Sequence, residues 1–169
     1  MRFFLTGFMG CGKSFWGQRI AVRHHLPFID LDRSIEEGEK ESIPSLFATK
    51  GESYFRELEH HYLEKSIHEN DDLIMACGGG TPCFLNNMNL MNEQGVTIYL
   101  QASPEYLYKN LQQDNTNRPL LKKENGAISL AFIKTTLAAR EQFYLQSAHI
   151  IEAASLNETI FARIIESYV

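Results

Sequence analysis

Apolar residues in this chain arrive in short bursts, and between the bursts they recur roughly every three to four positions. The bursts Phe3–Thr6, Pro27–Asp30, Leu73–Ala76, Val96–Leu100 and His149–Glu152 are too short for buried helices and read as strands. Helical spacing fills Lys13–His25, Asp32–Gly38, Ile43–Thr49, Glu52–Glu69, Phe84–Glu93, Pro104–Gln113, Ile128–Gln146 and Leu156–Ser167. Strands that alternate with helices predict βαβ units. The expected fold is therefore α/β, a parallel sheet covered by helices on both faces. In such a sheet ligands bind beyond the carboxyl ends of the strands. The residues that follow each strand are thus the ones to read for chemistry. No internal repeat or low-complexity tract interrupts the pattern.

The first strand runs into Gly7-Phe8-Met9-Gly10-Cys11-Gly12-Lys13-Ser14, and a helical stretch follows. This is the G-x-x-x-x-G-K-[ST] spacing of a phosphate-binding loop in its strand–loop–helix setting. Glycines let successive N–H groups turn toward phosphate oxygens, and the helix offers its positive end to the same anion. Lys13 would reach the β- and γ-phosphates, and Ser14 would place its hydroxyl on Mg²⁺. Gly10, Cys11, Gly12 and Phe15 complete the expected nucleotide contacts.

The second strand ends in Asp30-Leu31-Asp32. Asp30 is the expected partner of Ser14 at Mg²⁺, through water. Asp32 would face the open cleft and accept, or simply hold, the proton of an attacking hydroxyl. Either acid could instead cap the helix that starts near Arg33. The third strand leads into Gly78-Gly79-Gly80, which permits close backbone approach to a ligand. Arg56 and Glu59 are three apart on a helix and share a face. They form either a surface pair or a unit in which Glu59 orients Arg56 to grip a carboxylate.

The polar, breaker-rich stretch 112–126 is too long for a linker inside one domain. It reads as a lid that carries Arg118 to the transferring phosphate on closure. Arg140 lies on a helix face shared with small and apolar residues, where it serves either a structural ion pair or the site.

Size and charge narrow the picture. The 169 residues suit one domain, 1–169, with a substantial core. The net charge is −5 and no run of Lys or Arg stands out, which argues against nucleic acid or a membrane surface as partner. No apolar stretch approaches the roughly 18 residues of a membrane span. Met1 leads straight into the first strand, so no signal peptide is expected and the cytoplasm is the expected compartment. Cys11, Cys77 and Cys83 show no metal spacing, nor do the six histidines, and all nine are expected to be structural or solvated.

Taken in order, these segments resemble shikimate kinase. The resemblance rests on Gly7 to Ser14, Asp30-Leu31-Asp32, Gly51-Glu52 with Phe55-Arg56 and Glu59, Gly78-Gly79-Gly80, Arg118-Pro119-Leu120, and Arg140 four residues before Tyr144. It implies a fold like that of the nucleoside monophosphate kinases, a three-layer sandwich with five parallel strands in the order 2-3-1-4-5. It implies transfer of phosphate from ATP to the 3-hydroxyl of shikimate by a monomer, with Mg²⁺ as cofactor, on the way to chorismate and the aromatic amino acids. By the same resemblance Asp32 would bind the hydroxyls, Arg56 and Arg140 would clamp the carboxylate, Gly78 to Gly80 would contact the ring, and Arg118 would touch the nucleotide. One departure concerns adenine. Many relatives carry a stacking arginine where this chain reads Tyr108-Lys109-Asn110-Leu111, and a Lys ammonium does not stack as a guanidinium does. Ala153-Ala154-Ser155 is a second candidate lining for that pocket. The rival readings are another small-molecule kinase of this fold, such as a gluconate kinase, or a module that binds ATP without transferring phosphate. The N-K-x-D signature of a GTPase is absent.

Overall fold

The alternation in Arg2–Thr6 builds the centre of the molecule. In the computed structural model this segment is strand β1, with Phe3 and Leu5 entering one hydrophobic cluster and Phe4 the other. All three are fully buried. The structure describes residues 1–113, 123–124 and 127–168. β1 pairs in parallel with β3 (Leu73–Ala76) on one side and β4 (Val96–Gln101) on the other. Phe3 sits opposite both Ile74 and Val96. β2 (Phe28–Asp30) lies outside β3, and β5 (His149–Glu152) lies outside β4. The sheet is parallel throughout, and its order is β2-β3-β1-β4-β5, as the resemblance implies.

Helices cover both faces. On one side α1 (Lys13–His24), α5 (Pro104–Gln113), α6 (Leu130–Tyr144) and α7 (Glu158–Glu166) bury Ile20, Leu111, Ile133, Tyr144 and Phe161. On the other, α2 (Leu31–Glu39), α3 (Ile43–Glu69) and α4 (Asn87–Gln94) bury Ile35, Leu46, Leu63 and Met91. Two apolar faces thus enclose one sheet, which is the three-layer arrangement.

Several boundaries moved, four of them for reasons visible in the structure. The helices expected on either side of residue 50 meet end to end as α3, with Gly51 at φ 82° and ψ 173°, outside helical geometry. The helix expected from Phe84 starts at Asn87 instead. Pro82 sits inside a short 3₁₀ turn, Thr81–Cys83, and Leu85 and Asn86 then adopt left-handed backbone. The helix expected from Ile128 starts at Leu130, because Ser129 caps it by accepting from the Phe132 N–H at 3.2 Å. Ala127–Ile128 pairs instead with Lys123–Glu124 as a short antiparallel ribbon. The last helix starts two residues later than its apolar spacing suggested, capped by Asn157.

Candidate active site

The phosphate loop follows β1, and its shape comes from packing. Gly7 has φ 133°, and a Cβ there would lie 2.8 Å from the Leu100 carbonyl oxygen. Gly12 has φ 99° and ends the loop as the N-cap of α1. No side chain caps that helix and its first turn holds no acid, so its free N–H groups face the loop. Lys13 is 8% exposed and donates to the carbonyls of Gly7 at 2.8 Å and Phe8 at 3.0 Å. The ammonium is thus held under the loop. Asn110 on α5 donates to the Gly10 carbonyl at 2.9 Å and ties that helix to the loop. Cys11 is buried within the loop, while Phe15 is exposed beside it with Arg19 over its ring.

Ser14 Oγ donates to Asp30 Oδ2 at 2.5 Å. The other oxygen of Asp30 accepts from the Arg33 N–H at 3.3 Å, so Asp30 is the residue that caps α2. Asp32 stands in the first turn of α2. A hydroxyl and a carboxylate side by side are hard oxygen donors. Among the described residues no group of three or more His, Cys, Asp or Glu could hold a metal. That set fits Mg²⁺, which keeps waters and phosphate oxygens as its other ligands.

The three glycines after β3 are where the remaining residues meet. A Cβ on Gly78 would lie 2.5 Å from Glu59 Oε1, 2.8 Å from Thr81 Oγ1 and 2.9 Å from Asp32 Oδ1. A Cβ on Gly79 would lie 3.5 Å from Arg140 Nη1, and one on Gly80 would collide with the Arg56 guanidinium. Arg56, Arg140 and Asp32 are therefore neighbours, although they are far apart in sequence. Arg56 donates to Glu59 Oε2 at 2.7 Å and to Glu52 Oε1 at 2.9 Å. Burial opposes its charge, but Glu59 and Glu52 outweigh that and raise its pKa above the ordinary value. Arg140 Nη1 is buried with no hydrogen-bond partner among the described residues. A buried guanidinium nitrogen with an unspent donor, close to Gly79, is suited to an anion. Tyr144 donates to the Gly79 carbonyl at 2.5 Å, and burial pushes its pKa upward. Cys83 is half-buried, and that burial pushes its thiol up to about 11.

Two hollows share this ground. A cleft of about 650 Å³ is lined by Asp32, Arg56, Glu59 and Gly78 to Gly80, with Phe47 and Phe55 among its apolar walls. A pocket of about 260 Å³ lies over Gly10, Gly12, Lys13 and Ser14. Met9, Ser14, Asp30, Asp32 and Gly79 line both. Of the residues singled out in the sequence, Arg118 lies outside the described residues. Gly10, Gly12, Lys13, Ser14, Phe15, Asp30, Asp32, Arg56 and Gly78 to Gly80 line one or both hollows, whereas Cys11 and Arg140 line neither, Arg140 lying close to Gly79. Sequence reasoning missed Thr81, Asn87 and Asn110. Thr81 donates to Glu59 at 2.6 Å, and Asn87 donates to the Thr81 carbonyl at 2.9 Å. A polar residue directly after a glycine run was the one available hint.

The family profile for shikimate kinase matches residues 9–169. This chain belongs to the shikimate kinase family. Shikimate kinase of Bacteroides fragilis is 40% identical over 158 residues, which span 94% of this chain and 88% of that protein. Shikimate kinase of Bacteroides thetaiotaomicron is 38% identical over 158 residues, 94% of this chain and 90% of that protein. Its crystal structure matches with a TM-score of 0.91 at 35% identity and covers 98% of each chain. Shikimate kinase of Acinetobacter baumannii in complex with shikimate matches with a TM-score of 0.87 at 28% identity, covering 99% of this chain and 94% of that one. Deoxyadenosine kinase of M. mycoides, with a TM-score of 0.63 and 15% identity, shares the fold alone. Membership makes the chain an ATP-dependent kinase of aromatic biosynthesis with shikimate as its acceptor.

Proposed function

We propose that the larger cleft binds shikimate, that the smaller pocket binds the ATP phosphates, and that transfer to the 3-hydroxyl occurs at their shared wall. The observation that carries this reading is that Asp32 and Gly79 line both hollows. Arg56 and Arg140 hold the carboxylate at the Gly79–Gly80 end. The unmet donor of Arg140 supports an anion there. Gly78 to Gly80 let the ring approach the backbone. Asp32, next to Gly78, accepts a hydrogen bond from the 3-hydroxyl and orients that oxygen toward the phosphate pocket.

Phosphoryl transfer needs positioning and charge neutralisation more than covalent chemistry. Lys13 and the N–H groups at the start of α1 stabilise the charge on the β- and γ-phosphates. Gly10, Cys11, Gly12, Ser14 and Phe15 surround the nucleotide. Ser14 and Asp30 would hold Mg²⁺, which would neutralise charge on the phosphate oxygens. Arg118, outside the described residues, is assigned to the phosphates, where exclusion of water would suppress ATP hydrolysis. The chain works as one domain, 1–169, and as a cytoplasmic monomer. The absence of a membrane-length apolar helix among the described residues is compatible with that.

A coupled ADP-release assay tests the reading. ADP should form from ATP and Mg²⁺ when shikimate is added, and not with gluconate or a nucleoside monophosphate. ADP formation that ignores shikimate, or turnover with one of the other acceptors, overturns it.

A further inference from the structure

Arg56 pairs with Glu52 and Glu59, and two aromatic rings lie close to its guanidinium. Its Cζ lies 5.4 Å from the centroid of Phe55 and 4.3 Å from that of Phe84. Phe55 is the neighbouring residue on the same helix. Phe84 comes from the segment after the three glycines, and it is 36% exposed. The backbone after it is strained. Leu85 has φ 47° and Asn86 has φ 60°, left-handed values that non-glycine residues adopt at a cost.

That segment is fastened to the helix that carries Arg56. Thr81 Oγ1 donates to Glu59 Oε1 at 2.6 Å, and Glu59 in turn holds Arg56. Asn87 donates to the Thr81 carbonyl at 2.9 Å, and its Oδ1 lies 2.6 Å from His60 Nδ1 on α3. The Asn87 N–H bonds the Phe84 carbonyl at 3.0 Å. Residues 81–87 are thus pinned at both ends to α3, and the strained turn between the pins presents one aromatic ring to one guanidinium.

We propose that Phe84 is a positioning residue for Arg56 that sets the affinity for the carboxylate of the acceptor. Its π-face attracts the cation and fixes the guanidinium plane. It also keeps water off that face, which strengthens the bond from the guanidinium edge to an anion in the cleft. The inference rests on the assignment of Arg56 to the substrate carboxylate.

Steady-state kinetics on the full chain test it, with Arg56→Ala as control. Phe84→Leu keeps an apolar side chain but removes the π-face. It should raise the KM for shikimate about three- to tenfold. The kcat and the KM for ATP should stay within about twofold, a split that a general structural defect does not produce. Phe84→Tyr should restore the shikimate KM. With an acceptor whose carboxylate is replaced by a hydroxymethyl group, wild type and Phe84→Leu should have equal kcat/KM. The proposal fails if Phe84→Leu leaves the shikimate KM within twofold of wild type, if it impairs both acceptors equally, or if Tyr does not rescue. An Arg56→Ala variant with unchanged shikimate KM would sink the assignment of Arg56 itself. A raised KM in Arg56→Ala beside an unchanged one in Phe84→Leu sinks the role of Phe84 alone.

Discussion

Gly80→Ala probes the carboxylate end of the cleft with one carbon atom. Gly80 has φ −94° and ψ −17°, a right-handed conformation that alanine adopts without strain. Any effect is therefore steric, and the structure says where it falls. The three atoms nearest to an added Cβ all belong to Arg56, with Nη2 at 2.6 Å and Cζ at 2.7 Å. Real Cβ atoms do not approach so closely, so the guanidinium has to move. That displacement should disturb its contacts with Glu59, Glu52 and the Phe84 ring, and the position in which it is proposed to meet the substrate.

A hydrogen bond to a charged group contributes about 1.5–3 kcal/mol. Loss of one such bond to the carboxylate lowers kcat/KM for shikimate roughly 10- to 150-fold. The KM for ATP stays near wild type, because the phosphate loop is not among the neighbours of that Cβ. Stability falls modestly. Glu59 keeps its bond from Thr81, and a loss of about 1–2 kcal/mol lowers Tm by no more than about 8 °C in a chain of this size. The assay is coupled ADP release with shikimate titrated at saturating ATP, beside a thermal melt. Gly79→Ala is the internal comparison. Its Cβ would lie 3.3 Å from the Met9 nitrogen and 3.5 Å from Arg140 Nη1, contacts that small shifts relieve, so the loss should be smaller. A shikimate KM within twofold of wild type in Gly80→Ala, or an equal rise in the KM for ATP, would refute the placement of Arg56.

Three further outcomes are expected. Lys13→Ala should cost about 10²–10³ in kcat, since it removes the cation beneath the loop that meets the developing phosphate charge, and retention of a tenth of kcat counts against that role. Asp32→Asn should lower kcat far more than it raises the KM for ATP, and an unchanged kcat in the same assay rules out its hold on the hydroxyl. Arg140→Ala should raise the KM for shikimate and spare nucleotide binding, measured by titration with ADP. Equal damage to both would make Arg140 a structural residue.

The strands and most helices were legible because each depends on a local pattern. Phe3, Phe4 and Leu5 needed only their order to split between two faces. The phosphate loop was legible because its spacing is itself the chemistry. Asp30 and Asp32 were legible as a pair, but which of them caps α2 was decided by Asp30 Oδ1 reaching the Arg33 N–H. The turn at 81–87 was not legible. Phe84, Leu85, Met88 and Leu90 suggest a helix, but Pro82 and the hydrogen bonds that Asn87 donates to Thr81 and accepts from His60 impose another path. Those bonds span from six to 27 positions in sequence and leave no periodic trace.

In the proposed site the two arginines would reach the carboxylate by opposite routes, and the difference would explain how an acidic chain selects an organic acid. Arg56 is neutralised in place by Glu59 and Glu52, so most of its charge is already spent before any ligand arrives. Its contribution would be direction, since a guanidinium held by two carboxylates beside two aromatic rings can offer only its remaining donors. Arg140 holds a buried nitrogen without a partner among the described residues, and it supplies the unmet attraction. Two free cations would form a general anion trap and would compete for the phosphates of ATP next to them. One directed and one hungry guanidinium, with Asp32 and Glu59 at Gly78 repelling stray anions, instead favour a planar carboxylate on a body that carries hydroxyls. Selection there comes from where the donors point, and the net charge of −5 is no obstacle to it.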